Sequence, residues 1–191
     1  MKAWRASLLR FDDFGAAVFE ADGLLVTGPD ASGRRVVSAA GDHGALAGRF
    51  PGVPVEHLPG RIIAPGFLDL HVHYPQTDVI GSPAEGLLPW LEHYTFPHEA
   101  RFADADYAAG VARFFLDELS RNGVTTALTF ATSHPQSVEA LFTEARQRGL
   151  RLITGKVLQD RHSPDGVRDQ TEQSLIDTEA LIRKWHGVDR L

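Results

Sequence analysis

The chain contains no cysteine. That excludes disulfides and thiolate-ligated metal sites, and it is the usage expected of a protein in a reducing cytoplasm. Positive charge is also short. With 19 Lys and Arg against 25 Asp and Glu, the formal net charge of −6 offers no basic field to nucleic acid or to an anionic lipid surface. Apolar runs reach strand length at most, so nothing reads as a membrane span, and no apolar signal-peptide core follows Lys2 and Arg5. No Gly-x-Gly-x-x-Gly follows an apolar run, which leaves a dinucleotide fold without support. What is present is enough to bury a real core: 191 residues, 43% of them hydrophobic.

Residues 1–62 read as short strands and turns, a small β-rich N-terminal domain. Two apolar runs between Ala16 and Thr27 flank Asp22-Gly23, a hairpin signal. Gly41 to Phe50 reads as a helical turn or loop, and Pro51, Pro54 and Pro59 break anything longer. From residue 63 the pattern becomes strand, loop, helix, repeated. Ile62 to Val72 reads as a strand buried on both faces, and a long loop to about Ala103 follows it.

A helix capped by Asp104 places Val111, Phe114, Phe115 and Leu119 on one stripe and stops at Asn122-Gly123. Val124–Phe130 is the second strand. A second helix from Pro135 buries Val138, Leu141, Phe142 and Ala145 and ends at Gly149. Leu150–Val157 is the third strand, and a third helix from a Thr171 cap turns Leu175, Thr178, Ile182 and Trp185 inward. Three strand–helix units predict an α/β fold, a partial TIM-like (β/α) barrel over residues 63–191. A full eight-unit barrel takes about 250 residues, so about three of eight units are expected, with Asp189 to Leu191 at the lip of a fourth strand.

The chemistry-bearing stretch is Ala64-Pro-Gly-Phe-Leu-Asp-Leu-His-Val-His73. Alternation along a strand sends His71 and His73 to the same face, where two imidazoles can take two positions on one metal ion. Asp69 shares their parity. Spacing alone admits a second reading, two histidines in a half-buried strand.

Pro65-Gly-Phe-Leu-Asp-Leu-His-Val-His73 resembles the first-strand signature of the amidohydrolase superfamily. Tyr74-Pro-Gln76, Leu88-Pro-Trp-Leu-Glu-His-Tyr-Thr-Phe-Pro97, Asn122-Gly-Val-Thr-Thr126 and Gly155-Lys-Val157 with Asp160 are similar to the guanine deaminase family within it. The resemblance runs from about Arg61 to the last residue.

It implies a hydrolase acting on the C–N bond of a cyclic amidine, guanine and water giving xanthine and ammonia in purine catabolism. It implies one zinc (or iron) held by His71 and His73 together with two later histidines and an aspartate, and it suggests a cytoplasmic homodimer. None of the seven other histidines stands in the His-x-x-Glu arrangement of the family's proton-shuttling glutamate, which is expected beyond Leu191. No catalytic proton-transfer residue is therefore assigned within the chain, which is expected to be an N-terminal part, inactive alone. The missing cysteines independently remove the other class of zinc nucleobase deaminase, which needs a His and two Cys.

The resemblance gives Gln76 the substrate contact, with Tyr74 and Pro75 lining the same loop. A glutamine there offers an acceptor and two donors, matching the amide-like edge of a purine. Trp90, Tyr94 and Phe96 are spaced to cluster over the pocket mouth or, equally well, to form a small satellite core under the loop. Asp69 is expected to brace the strand or the metal's surroundings, His134 to be structural, and Lys156 to pair with an acid such as Asp160. Two rivals stay open: another amidohydrolase, such as a cytosine or aminotriazine-type deaminase or a cyclic amidase, and a non-catalytic stub. Tyr-Pro-Gln and Tyr-Thr-Phe-Pro argue against the first.

Overall fold

The computed structural model describes residues 1–191 and divides into two compact units, Met1–Pro65 and Gly66–Leu191.

The first unit is one four-stranded sheet in the order β3-β2-β1-β4, formed by β1 (Lys2–Phe11), β2 (Ala17–Pro29), β3 (Arg35–Asp42) and β4 (Val55–Ile63). β1 and β2 pair antiparallel, β2 and β3 antiparallel, β1 and β4 parallel. The hairpin turn lies at Asp12–Ala16, where the Asp12 carboxylate accepts from the backbone N–H of Phe14 (2.9 Å) and of Ala16 (2.8 Å). Asp22-Gly23, expected as the turn, sits inside β2. Gly23 is there because a Cβ would come 2.4 Å from Leu8 Cγ at the bulge between Ala6 and Leu8. A single helical turn, α1 (His43–Leu46), is capped by Asp42 and sends Leu46 onto Ala3, Leu24 and Val26. The division also falls later than residue 62, because Ile62 and Ile63 still pair with Ser7 and Leu8 of β1. Pro65-Gly66 then separates β4 from the next strand.

The second unit carries a parallel sheet in the order β5-β6-β7, with β5 (Phe67–His73), β6 (Val124–Phe130) and β7 (Arg151–Gly155). The stretch after β5, expected as a loop, is largely helical. It contains a 3-10 turn (Tyr74–Val79), α2 (Leu87–Trp90), a π turn (Leu91–Thr95) and α3 (Phe96–Ala100). α4 (Ala105–Arg121) connects β5 to β6, α5 (Pro135–Arg148) connects β6 to β7, and α6 (Thr171–Trp185) follows β7. Asp104 caps α4 as expected, its carboxylate accepting from the N–H of Asp106 and Tyr107. Gly149 ends α5 in the left-handed conformation that glycine adopts without strain.

The core lies between sheet and helices: Ala127 and Leu152 from the strands against Val111, Phe115, Leu116, Val138, Leu141 and Phe142. Truncating one such leucine to alanine costs about 2–5 kcal/mol. Two expectations about helix faces fail. Phe114 is exposed, because α4 turns Ala108, Val111, Ala112 and Phe115 inward instead. On α6, Leu175 and Ile182 are exposed while Ser174, Leu181 and Trp185 are buried; Thr171 is the first helical residue rather than the cap. Ser174 is buried beside Lys156 Nζ, which donates to it at 2.6 Å, while Trp185 keeps its inward place. Within residues 1–191, β5 pairs on one side only, with β6, and Phe67, Leu68 and Leu70 are uncovered.

Candidate metal centre

β5 pairs with β6 so that His73 lies opposite Phe130. Alternation then puts the rings of His71, His73 and Phe130 together. His73 stacks on Phe130 at 4.4 Å between centroids and 11° between planes, and His71 lies 5.0 Å from the same ring. The Nε2 atoms of His71 and His73 are 3.3 Å apart. Two nitrogens each about 2.0–2.1 Å from a tetrahedral zinc stand about 3.3–3.4 Å apart, so the pair fits two ligand positions of one ion. Burial, and secondarily the neighbouring His71, hold the His73 pKa below its ordinary value, which favours the neutral, ligating imidazole. No group of three or more His, Cys, Asp or Glu side chains comes together anywhere in the chain, so the pair could fill at most two positions on an ion.

Asp69 is not a third ligand. Its carboxylate accepts from the backbone N–H of His71 at 3.1 Å and braces the strand. Gln76 stands on the 3-10 turn directly after β5, its amide 3.2 Å from His73 Nδ1. Asp69, His71, His73 and Gln76 border an open groove of about 540 Å³ along the edge of β5, whose other walls include Val72, Phe114, Phe115 and Leu119 on the helix-covered side.

Tyr74 and Pro75 do not share that position. Tyr74 follows His73 on the strand and so points to the opposite, helix-covered side, where it is fully buried against Phe102 (5.1 Å) and Phe115 (5.9 Å). Its hydroxyl donates to the Ser137 carbonyl at 2.7 Å, and burial pushes its pKa far above the usual phenol range. Pro75 is buried beside it. Trp90, Tyr94 and Phe96 lie half-buried along the helical stretch, and none lines the groove beside His71.

His134 meets the Gly166 carbonyl through Nε2 at 3.0 Å, tying the end of β6 to the loop after β7. Lys156 pairs with Asp169, not Asp160. Its ammonium donates to Asp169 (2.6 Å), Ser174 (2.6 Å) and the Val157 carbonyl (3.2 Å), while Asp160 accepts from Thr171. Asp169 and Ser174 were not foreseen, because their partner lies thirteen and eighteen residues away across an irregular loop. Phe130 could have been found, since it ends the second strand level with His73.

The model of the amidohydrolase family matches residues 62–189. The chain belongs to the amidohydrolase family. Guanine deaminase of Escherichia coli K12 is 47% identical over 139 residues, which cover 73% of this chain and 32% of that protein. The solved structure of E. coli guanine deaminase matches with a TM-score of 0.89 at 40% identity, over 100% of this chain and 45% of that one. Guanine deaminase of C. acetobutylicum, solved with guanine in its active site, matches with a TM-score of 0.84 at 31% identity, over 96% and 42%. The chain thus spans between about a third and somewhat under half the length of these relatives. The fold is the mixed α/β fold of these structures. The amidohydrolase match takes in all of the second unit except its last two residues, and His71, His73 and Gln76 all fall inside it.

Proposed function

We propose that the protein carrying this chain is a metal-dependent guanine deaminase, converting guanine and water to xanthine and ammonia. The convergence of His71 and His73 Nε2 at 3.3 Å is the observation that carries this reading, because two imidazole nitrogens at that spacing suit two ligand positions on one ion. The similarity to guanine deaminases, one of them solved with guanine bound, supports the substrate.

His71 and His73 would hold zinc, or iron, with the remaining ligands supplied by later residues. When bound, such an ion supplies the Lewis acidity that lets water act as a nucleophile at neutral pH. Gln76 borders the same groove and would hold the purine edge by hydrogen bonds, fixing which ring carbon faces the water. Phe130 packs against both imidazoles and would hold their rings in place.

The three parallel strands in sequential order, each followed by a helix, support reading the second unit as about three of the eight units of a (β/α) barrel. The first unit would be its β-rich N-terminal domain. A cytoplasmic homodimer belongs to the same proposal.

Two measurements test the reading. A polypeptide extended through the later ligands should release ammonia from guanine and lose that activity to a chelator. Residues 1–191 alone, with two imidazoles, should release none. Turnover of cytosine or of a cyclic amide in preference to guanine would transfer the protein to another branch of the family.

A further inference from the structure

A neutral imidazole carries one N–H and one lone pair, and the hydrogen bond at one nitrogen sets which atom is free at the other. For the Nε2 atoms of His71 and His73 to face one cation, both must present lone pairs, so the His73 proton must sit on Nδ1. That nitrogen meets the Gln76 amide at 3.2 Å, with Nε2 of the amide as the nearer atom. An Nδ1–H donor needs an acceptor there. Rotating the amide by half a turn exchanges its nitrogen for its oxygen and moves nothing else.

We infer that Gln76 is a positioning residue for His73, its amide oxygen accepting the Nδ1–H and so fixing Nε2 as the ligating atom. The inference rests on the reading of His71 and His73 as metal ligands. Two neighbours hold the geometry. The His73 ring is stacked on Phe130, which holds the plane of the imidazole beside the amide. The Gln76 backbone is fixed in the Tyr74–Val79 turn, where Thr77 Oγ1 donates to the Tyr74 carbonyl at 2.6 Å and the Tyr74 ring is locked in the core. Asp69, the one carboxylate on the same strand, is already engaged with the His71 backbone and leaves this role to Gln76. With its oxygen committed, Gln76 presents only N–H donors to the groove, so the substrate edge that it meets must be an acceptor.

Two-bond ¹H–¹⁵N spectra of histidine-labelled protein read the tautomer directly, and a zinc titration followed on the same ring signals reads affinity. Zinc-loaded protein should carry the His73 proton on Nδ1. Gln76→Leu should weaken zinc binding by about tenfold or more, the usual range for removing a partner that orients a ligand. Gln76→Glu, whose carboxylate can only accept, should keep the tautomer and restore the affinity. A proton on Nε2 in the zinc-loaded protein, an unchanged affinity in Gln76→Leu, or failure of Gln76→Glu to rescue would each overturn the inference. If Gln76→Leu does not fold, the unaltered protein's spectrum decides alone. The outcomes separate from the wider reading: no zinc binding at all removes the metal site itself, whereas zinc bound through Nδ1 removes only the role of Gln76. Neither readout involves guanine.

Discussion

The Nε2 atoms of His71 and His73 stand 3.3 Å apart on the exposed face of β5, both against the ring of Phe130. That spacing would let two residues of one strand take two positions on one ion. Replacing either histidine by alanine leaves a lone imidazole, and zinc affinity should fall by at least about tenfold, the lower end of what even an indirect partner contributes. A zinc titration of His71→Ala and His73→Ala checks it. A variant that retained the original affinity would show that the ion is held elsewhere.

Tyr74 is adjacent to a proposed ligand yet should behave as a core residue. Tyr74→Phe removes the 2.7 Å bond to the Ser137 carbonyl, a loss of about 1 kcal/mol for one hydrogen bond. Urea unfolding should register that loss, while the KM for guanine of a catalytically complete enzyme stays unchanged. A raised KM without destabilisation would return the hydroxyl to the substrate.

The readability of this chain followed the physics of each signal. Where start and stop signals agreed, as for α4 from Asp104 and for α5 ending at Gly149, the helices had the expected extent, although α4 turns Phe114 outward. The histidine pair was legible because strand alternation alone brings the side chains together. Asp22-Gly23 misled, since a turn dipeptide and a glycine admitting the close approach of Leu8 look alike in one dimension. Tyr74 misled for the opposite reason: the motif suggested a binding loop, but one step of strand parity carried the ring into the core. The burial of Ser174 on α6 was hidden because its partner, Lys156, lies eighteen residues away. Long-range polar contacts leave no period in a sequence.

Glu99 lies buried on α3, and burial alone raises its carboxyl from the usual 4.5 to about 7. The folded protein therefore keeps a proton that the unfolded chain releases, so stability should decline as pH rises from 4.5 towards 7. The total over that window is on the order of 3 kcal/mol. Glu99→Gln removes the titration, and its melting temperature should fall less than the parent's between pH 5 and pH 7.5. Parallel melting curves across that range would show that the carboxyl titrates normally.

Lys156 and Asp169 form the most enclosed ion pair of the second unit, with side-chain exposures of 1% and 9%. All three ammonium hydrogens are used, and the second Asp169 oxygen accepts from the Gln159 N–H at 3.0 Å. The pair therefore ties the end of β7 to the first turn of α6 across the intervening loop. Lys156→Met leaves a carboxylate buried without its cation, and should cost about 3–5 kcal/mol by urea denaturation. Removing both charges should cost less than removing one, because the unpaired charge, rather than the lost attraction, dominates the single change. A Lys156→Met, Asp169→Leu double variant should accordingly recover part of the loss. If it is no more stable than Lys156→Met, the loop is held by the hydrogen bonds to Ser174 and Gln159 rather than by charge pairing.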